Sequence, residues 1–158
     1  MSSAEDAETV EYIEEILESI AEGIGIEATV EVADNGEAIT ATYVGDGEDL
    51  ALLIGHHGAT IDAIQHLAHR IAFHGLDTRR PLAVDAAGYR ARRAEALHAV
   101  ADQAADTAVL EKRPVPLEVM GAQERKVVHE HLKSRFDVET YSEGQEPSRH
   151  LVVAPLVD

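Results

Sequence analysis

The sequence predicts an α+β fold of two small units, each a three-stranded sheet with helices. Three observations predict it. An acidic segment with helical apolar spacing is followed at once by a segment of strand alternation. Two apolar runs of helical character flank the short loop Gly55-His56-His57-Gly58. Beyond residue 86, a second order of helix, strand, helix, strand, strand begins after the first has closed. We place the first unit at 1–86, with its acidic N-terminal helix, and the second at 87–158.

The elements follow in order. In 7–22, Val10, Ile13, Ile16, Leu17 and Ile20 recur at helical spacing, with glutamates on the other faces. Gly23 and Gly25 are expected to end that helix. Ile26, Ala28, Val30 and Val32 then alternate with Glu27, Thr29 and Glu31, the period of a half-buried strand. Asp34-Asn35-Gly36 signals a turn, and Ala38 to Val44 reads as the returning strand. Residues 48–54 and 60–74 are two helices, the second with Ile61, Ile64, Leu67, Ala68 and Ile71 on one face and Thr60 as its expected cap. Leu82-Ala83-Val84 is a short third strand. Residues 86–111 read as an alanine-rich helix with Tyr89, Leu97, Val100, Ala104 and Ala108 on its apolar side, stopped by Pro114 and Pro116. An extended piece from Val115 to Met120 leads to a helix reaching Leu132, where Val127, Val128 and Leu132 are expected to face the core. Two strands, 137–143 and 149–155, close the chain.

Composition bounds the function. Hydrophobic residues are 45% of the chain but aromatics only 4%, so the core is aliphatic. With no cysteine, there is no disulfide, thiolate zinc site or cysteine nucleophile. No run approaches membrane-spanning length, and Met1 to Asp6 lacks the order of a signal peptide, so a cytoplasmic location is expected. The net charge of −17 has the wrong sign for a nucleic-acid binder. Its distribution softens this: residues 1–50 hold fifteen acidic residues and no Lys or Arg, while 51–158 are nearly neutral and carry all nine histidines. Most of the N-terminal acid reads as a solvated face.

Gly55 and Gly58 allow a sharp turn and leave no Cβ in a ligand's way. A loop opening a helix offers N–H groups to phosphate. Arg125 and His129, four apart, share one helical face, and Lys133 extends it by a turn. His66, His69 and Asp62 share a helix, but no third ligand accompanies the histidines, so no metal site is expected. Arg90, Arg92 and Arg93 read as a solvated basic patch near the domain junction, available to RNA or to neighbouring Glu residues. No Ser–His–Asp or paired-carboxylate arrangement stands out, so neither catalysis nor a cofactor is expected.

Ile54 before the first glycine and the helix after the second resemble the nucleotide-clamping loop of a KH domain, and the element order matches its type II arrangement. Arg125-x-x-x-His129 resembles the signature of the Arg-x-x-x-His (R-three-H) domain. Val84-Asp85-x-x-Gly88-Tyr89-Arg90-x-Arg92-Arg93 resembles the junction of these two domains in the Jag family, also called KhpB. Arg113-Pro114-Val115-x-Leu117-Glu118-x-Met120, Glu124 to His129, and the tail from Asp137 to Pro147 are similar to the same family. The resemblance is strong over about 50–154 and rests on element order over 7–49. It implies single-stranded RNA as ligand, gripped by Gly55, His56, His57 and Gly58 and by Arg125 and His129, with Lys133 and Arg149 as further contacts. It also implies a post-transcriptional role linked to envelope growth and division, a small KH-only protein partner, and proximity to the YidC-type membrane insertase.

Two departures qualify the match. Many members carry a further domain before the KH unit, whereas this chain begins at the KH helix and reads as a short form. The two variable loop positions, commonly basic, are His56 and His57. An ordinary imidazole, with pKa ~6.5, is mostly uncharged near neutrality, so binding should strengthen in mild acid. The alternative reading is a protein-interaction adaptor with weak or lost nucleic-acid affinity, its acidic first helix serving as a docking face.

Overall fold

Residues 3–77 and 79–156 are described by the computed structural model. Their acidic periodicity forms helix α1 (Ser3–Ile24), which buries Ile13, Ile16, Leu17 and Ala21 and keeps most of its glutamates in solvent. The helix runs through Gly23 and stops at Gly25, where φ is 83°. There the Ile26 N–H donates to the Ala21 carbonyl at 2.9 Å, closing the last turn.

Strands β1 (Ala28–Asp34) and β2 (Ile39–Gly45) pair antiparallel. The turn between them is built by side chains: Asp34 accepts from the Gly36 N–H and Asn35 from those of Glu37 and Ala38. Helix α2 (Gly47–Ile54) is capped by Asp46, which accepts from the Glu48 N–H. Helix α3 (Ala59–Ala72) follows the loop, and β3 (Leu82–Ala86) lies parallel to β2, giving the order β1-β2-β3. Val30, Ile39, Ala41, Tyr43, Leu82, Val84 and Ala86 face one core with α1, α2 and α3, while Thr29, Glu31, Thr40 and Ala83 on the other face are exposed.

Leu67 and Ile71 do not join that core. They are 49% and 38% exposed, and α3 instead buries Ile61, Ile64, Ala68 and Ala72. A 3.6-residue period allows both stripes; the position of the sheet selects the narrower one.

Two polar contacts secure this unit. The Tyr43 hydroxyl, deep in the core, donates to the Leu17 carbonyl at 2.6 Å, and burial pushes the phenol pKa up. Arg80 donates twice to Asp34, both at 2.7 Å, and this guanidinium holds the Asp34 carboxyl below its ordinary range. With the folded pKa below the unfolded ~3.9, the pair stabilises the fold above that value, and the contribution is lost as pH falls through the folded pKa. Asp34→Asn is therefore expected to lower stability by roughly 2 kcal/mol near neutrality, with a smaller difference from wild type at about pH 3. Urea unfolding at both pH values checks this.

The chain divides into two compact units, Met1–Arg90 and Ala91–Asp158. The alanine-rich helix α4 (Tyr89–Glu111) starts three residues later than its apolar pattern predicts. Ala87 at φ 52° and Gly88 at φ 65° break the backbone, and β3 runs on to Ala86 instead. Within the second unit, α4 buries Leu97, Ala101, Ala104, Ala105 and Ala108. Val100 is 45% exposed, contrary to its place in the expected apolar stripe, because small alanines one residue on take the contact.

Strand β4 (Val115–Val119), helix α5 (Ala122–Leu132), β5 (Val138–Glu143) and β6 (His150–Pro155) complete that unit in the expected order. Its sheet is antiparallel with order β4-β6-β5. The middle strand buries Leu151, Val152, Val153 and Ala154. Val128, Leu132, Val138 and Met120 join the core, with Val127 packed at its margin.

The basic patch expected at the start of α4 is not a solvated one. Arg90 donates to the Val84 carbonyl, Asp62 and Gln65 at 2.8, 2.8 and 3.0 Å, tying itself to β3 and α3. Arg93 is held by Glu124 in the second unit. Arg92 alone of the three is exposed. Carboxylates distant in sequence are brought to these arginines by packing.

Candidate nucleic-acid interface

In the first unit, Gly55 (φ 73°, ψ −173°) ends α2, and its N–H donates to the Ala51 carbonyl. Gly58 (φ 77°, ψ 10°) opens α3, with His57 between them also left-handed at φ 50°. Each glycine is required by close packing. A Cβ at Gly55 would collide with Thr60, and one at Gly58 would lie 2.7 Å from the Tyr89 ring. Thr60 is thus not the helix cap that its position suggests. Gly58 occupies that position with no side-chain cap; the Ala59 N–H is taken by the His56 carbonyl, and no side chain caps the N–H groups of the turn that follows.

His56 and His57 are exposed, and their rings stack at 3.9 Å, 22° apart. The loop therefore presents two imidazoles side by side above a helix N-terminus. Asp62, in the first turn, is neutralised by Arg90 at 2.8 Å. What remains is a backbone-lined turn with flat polar rings, suited to phosphate and base contacts.

In the second unit, Arg125 and His129 line one shallow cavity of about 300 Å³ with Lys126, Thr140, Tyr141 and Ser142. His129 Nδ1 is hydrogen-bonded to the Thr140 hydroxyl across α5 and β5. Arg125 is nearly buried, at 8% exposure. Its guanidinium donates to the Met120 carbonyl at 2.7 Å, to the Arg149 carbonyl at 3.5 Å, and to Glu146. That contact holds the Glu146 carboxyl below its ordinary range. Arg125 thus shapes the cavity wall and clamps the 144–149 loop to α5.

Lys133 follows the last turn of α5 and pairs with Glu130 at 2.8 Å, outside the cavity lining. Arg149 contributes its carbonyl, which accepts from the Met120 N–H and from Arg125. Reading the sequence alone misses Lys126, Thr140, Tyr141 and Ser142. Lys126 was legible, three residues before His129 on the same helix. The strand residues were not, because only the seating of α5 on β5 brings them there.

The chain matches two family models: the KhpA/KhpB KH domain over 10–81 and the R-three-H domain over 95–155. It is 34% identical over 140 residues to the RNA-binding protein KhpB of Bacillus subtilis, an alignment covering 87% of this chain and 66% of that protein. It is similar to the RNA-binding protein KhpB of Clostridium symbiosum at 29% (92% and 64% covered), and of Lactiplantibacillus plantarum at 33% (86% and 42%). The chain thus spans about two-thirds or less of the length of these relatives. No described helix is long and apolar enough to cross a membrane. With a tight Gly-x-x-Gly turn opening a helix, an Arg-x-x-x-His helix behind a polar cavity, and both domain matches in that order, the chain belongs to the Jag/KhpB family.

Proposed function

We propose that the chain binds single-stranded RNA through its KH loop and, separately, through the cavity of its R-three-H unit. The observation that carries this is the loop geometry. Gly55 and Gly58 fold tightly against Thr60 and Tyr89, leaving an uncapped helix N-terminus under two exposed imidazoles. Gly-x-x-Gly loops of KH domains clamp about four backbone nucleotides. In the second unit, His129 and Lys126 meet the strand while Tyr141, 44% exposed, offers a ring to a base. Lys133 and Arg149 are further proposed contacts at the margin of that site. The family resemblance extends the proposal to a post-transcriptional role linked to envelope growth and division, with a small KH-only protein as partner. It also extends to work near the YidC-type insertase.

The test is fluorescence anisotropy with a pool of short single-stranded RNAs, at low salt. His56→Asp with His57→Asp is expected to weaken binding by at least about tenfold without unfolding, since Asp tolerates the left-handed backbone at position 57. An unchanged affinity in the double variant would refute the loop's role.

The adaptor reading has its own observation. A cavity of about 730 Å³ runs between α1 and the end of α3, with Glu5, Asp6 and Glu8 beside Tyr12, Phe73 and Leu76. A salt series separates the readings. RNA binding through several phosphates requires log K to fall steeply with log salt, and a flat response favours the adaptor.

A further inference from the structure

The first unit, Met1–Arg90, contains four arginines and no lysine. Arg80 is taken up by Asp34 and Asp6, and Arg90 by Asp62 and Gln65. Among the described residues, no carboxylate lies within ion-pair distance of the other two, Arg70 and Arg79. Both line the same cavity of about 250 Å³, together with His66, His69, His74 and Phe73. No Asp or Glu lines it. In a unit dominated by acid, the two unspent cations and three of its five histidines converge on one spot.

The site suits an anion rather than a metal ion. Among the described residues, no three ligating groups gather as a metal would need, and two arginines on the same lining repel a cation. His69 holds the cavity wall in place: its Nε2–H donates to the Arg80 carbonyl at 3.0 Å, and its ring meets Phe73 at 4.9 Å. The neighbouring cavity that shares Phe73 and His74 does carry four carboxylates, Glu5, Asp6, Glu8 and Asp77, with Arg80 neutralised by Asp34; none of the four lines the Arg70/Arg79 cavity. The carbonyl end of α3 disfavours an anion, but that effect falls off within the last turn, whereas two arginines on one lining offer charge-assisted donors.

His66, Arg70 and His74 fall four apart on the exposed side of α3 and the turn after it. The opposite end of that helix carries the Gly-x-x-Gly loop, 14 residues or roughly 20 Å away. We propose that the Arg70/Arg79 cavity is a second backbone-phosphate site for the RNA strand held at the loop. A strand longer than the four nucleotides that such a loop clamps is expected to engage it fully. The inference rests on the RNA-binding reading, and its ligand is a phosphodiester.

The experiment compares the full wild-type chain with the double variant Arg70→Gln, Arg79→Gln, using RNAs of about four and about twelve nucleotides in a salt series. The variant is expected to bind the longer RNA at least about fivefold more weakly. Its slope of log K against log salt should be flatter by about 1.4, for two lost contacts at ~0.7 each. The shorter RNA should bind both proteins equally. Equal binding of the longer RNA, or equal loss with both RNAs, overturns the second site. If His56→Asp with His57→Asp still loses binding in that case, the RNA reading itself stands. If the wild-type chain binds neither RNA, the RNA reading fails first, and inorganic phosphate followed by the ring-proton NMR signals of His66 and His74 decides the rest. Absence of shifts then removes the anion site. Saturable shifts that vanish in the Arg variant leave a free-phosphate site and overturn the RNA assignment.

Discussion

Gly55→Ala is expected to destabilise the first unit by roughly 3 kcal/mol or more, the larger of the two effects at the loop glycines. At φ 73° and ψ −173° the backbone sits where only glycine is comfortable, a region that costs other residues about 1–3 kcal/mol. The new methyl would also meet the Thr60 Cβ at 2.7 Å and its backbone N at 3.0 Å. That backbone belongs to the first turn of α3 and cannot step aside without moving the helix. Gly58→Ala is expected to cost less. Its left-handed backbone is milder, and the Tyr89 ring it meets is a side chain that can shift. Amide hydrogen exchange in 3–90 reads both variants. Thr60→Ala in the Gly55→Ala background should recover only part of the loss, since the Thr60 Cβ remains in the way. Full recovery would show that the clash lies with the hydroxyl alone. An unchanged stability for Gly55→Ala would show that the loop is looser than its packing implies.

Arg125→Ala is expected to cost the second unit roughly 2–3 kcal/mol. The loss leaves the Met120 and Arg149 carbonyls without their shared donor and removes the buried stem that packs under the loop. Glu146 is half exposed and regains water, so little is added by its lost partner. Arg125→Lys should fall between, because one ammonium on a flexible stem cannot reach three acceptors in a fork. Denaturant unfolding gives the stability. RNA binding measured where both proteins are folded separates the roles: Lys126→Ala and His129→Ala should weaken binding with little effect on stability. An Arg125→Ala protein as stable as wild type would refute the clamp.

Element order was legible because it depends on short-range patterns. The alternation of Ile26 to Val32, the turn residues Asp34 and Asn35, and the helical spacing of Ile13, Ile16 and Leu17 each reappear as elements. So do the two glycines, whose positive φ values follow from a tight bend between helices. Boundaries shifted where a backbone break overrode the apolar pattern, as at Ala87 and Gly88 before α4.

Partnerships were not legible. Arg90, Arg93 and Arg125 looked like surface cations, and each is occupied by a carboxylate 21 to 31 residues away in sequence. Leu67, Ile71 and Val100 fitted an apolar stripe and remain exposed. The sequence by itself determined the two α+β units, their order, and the motifs that mark the family. Those rest on local periodicity, glycine geometry and turn chemistry. Only the tertiary structure decided which cations remain unspent and which residues line the cavity beside His129. Charge neutralisation and cavity shape depend on groups from different elements meeting in space, and spacing along one chain does not encode those meetings.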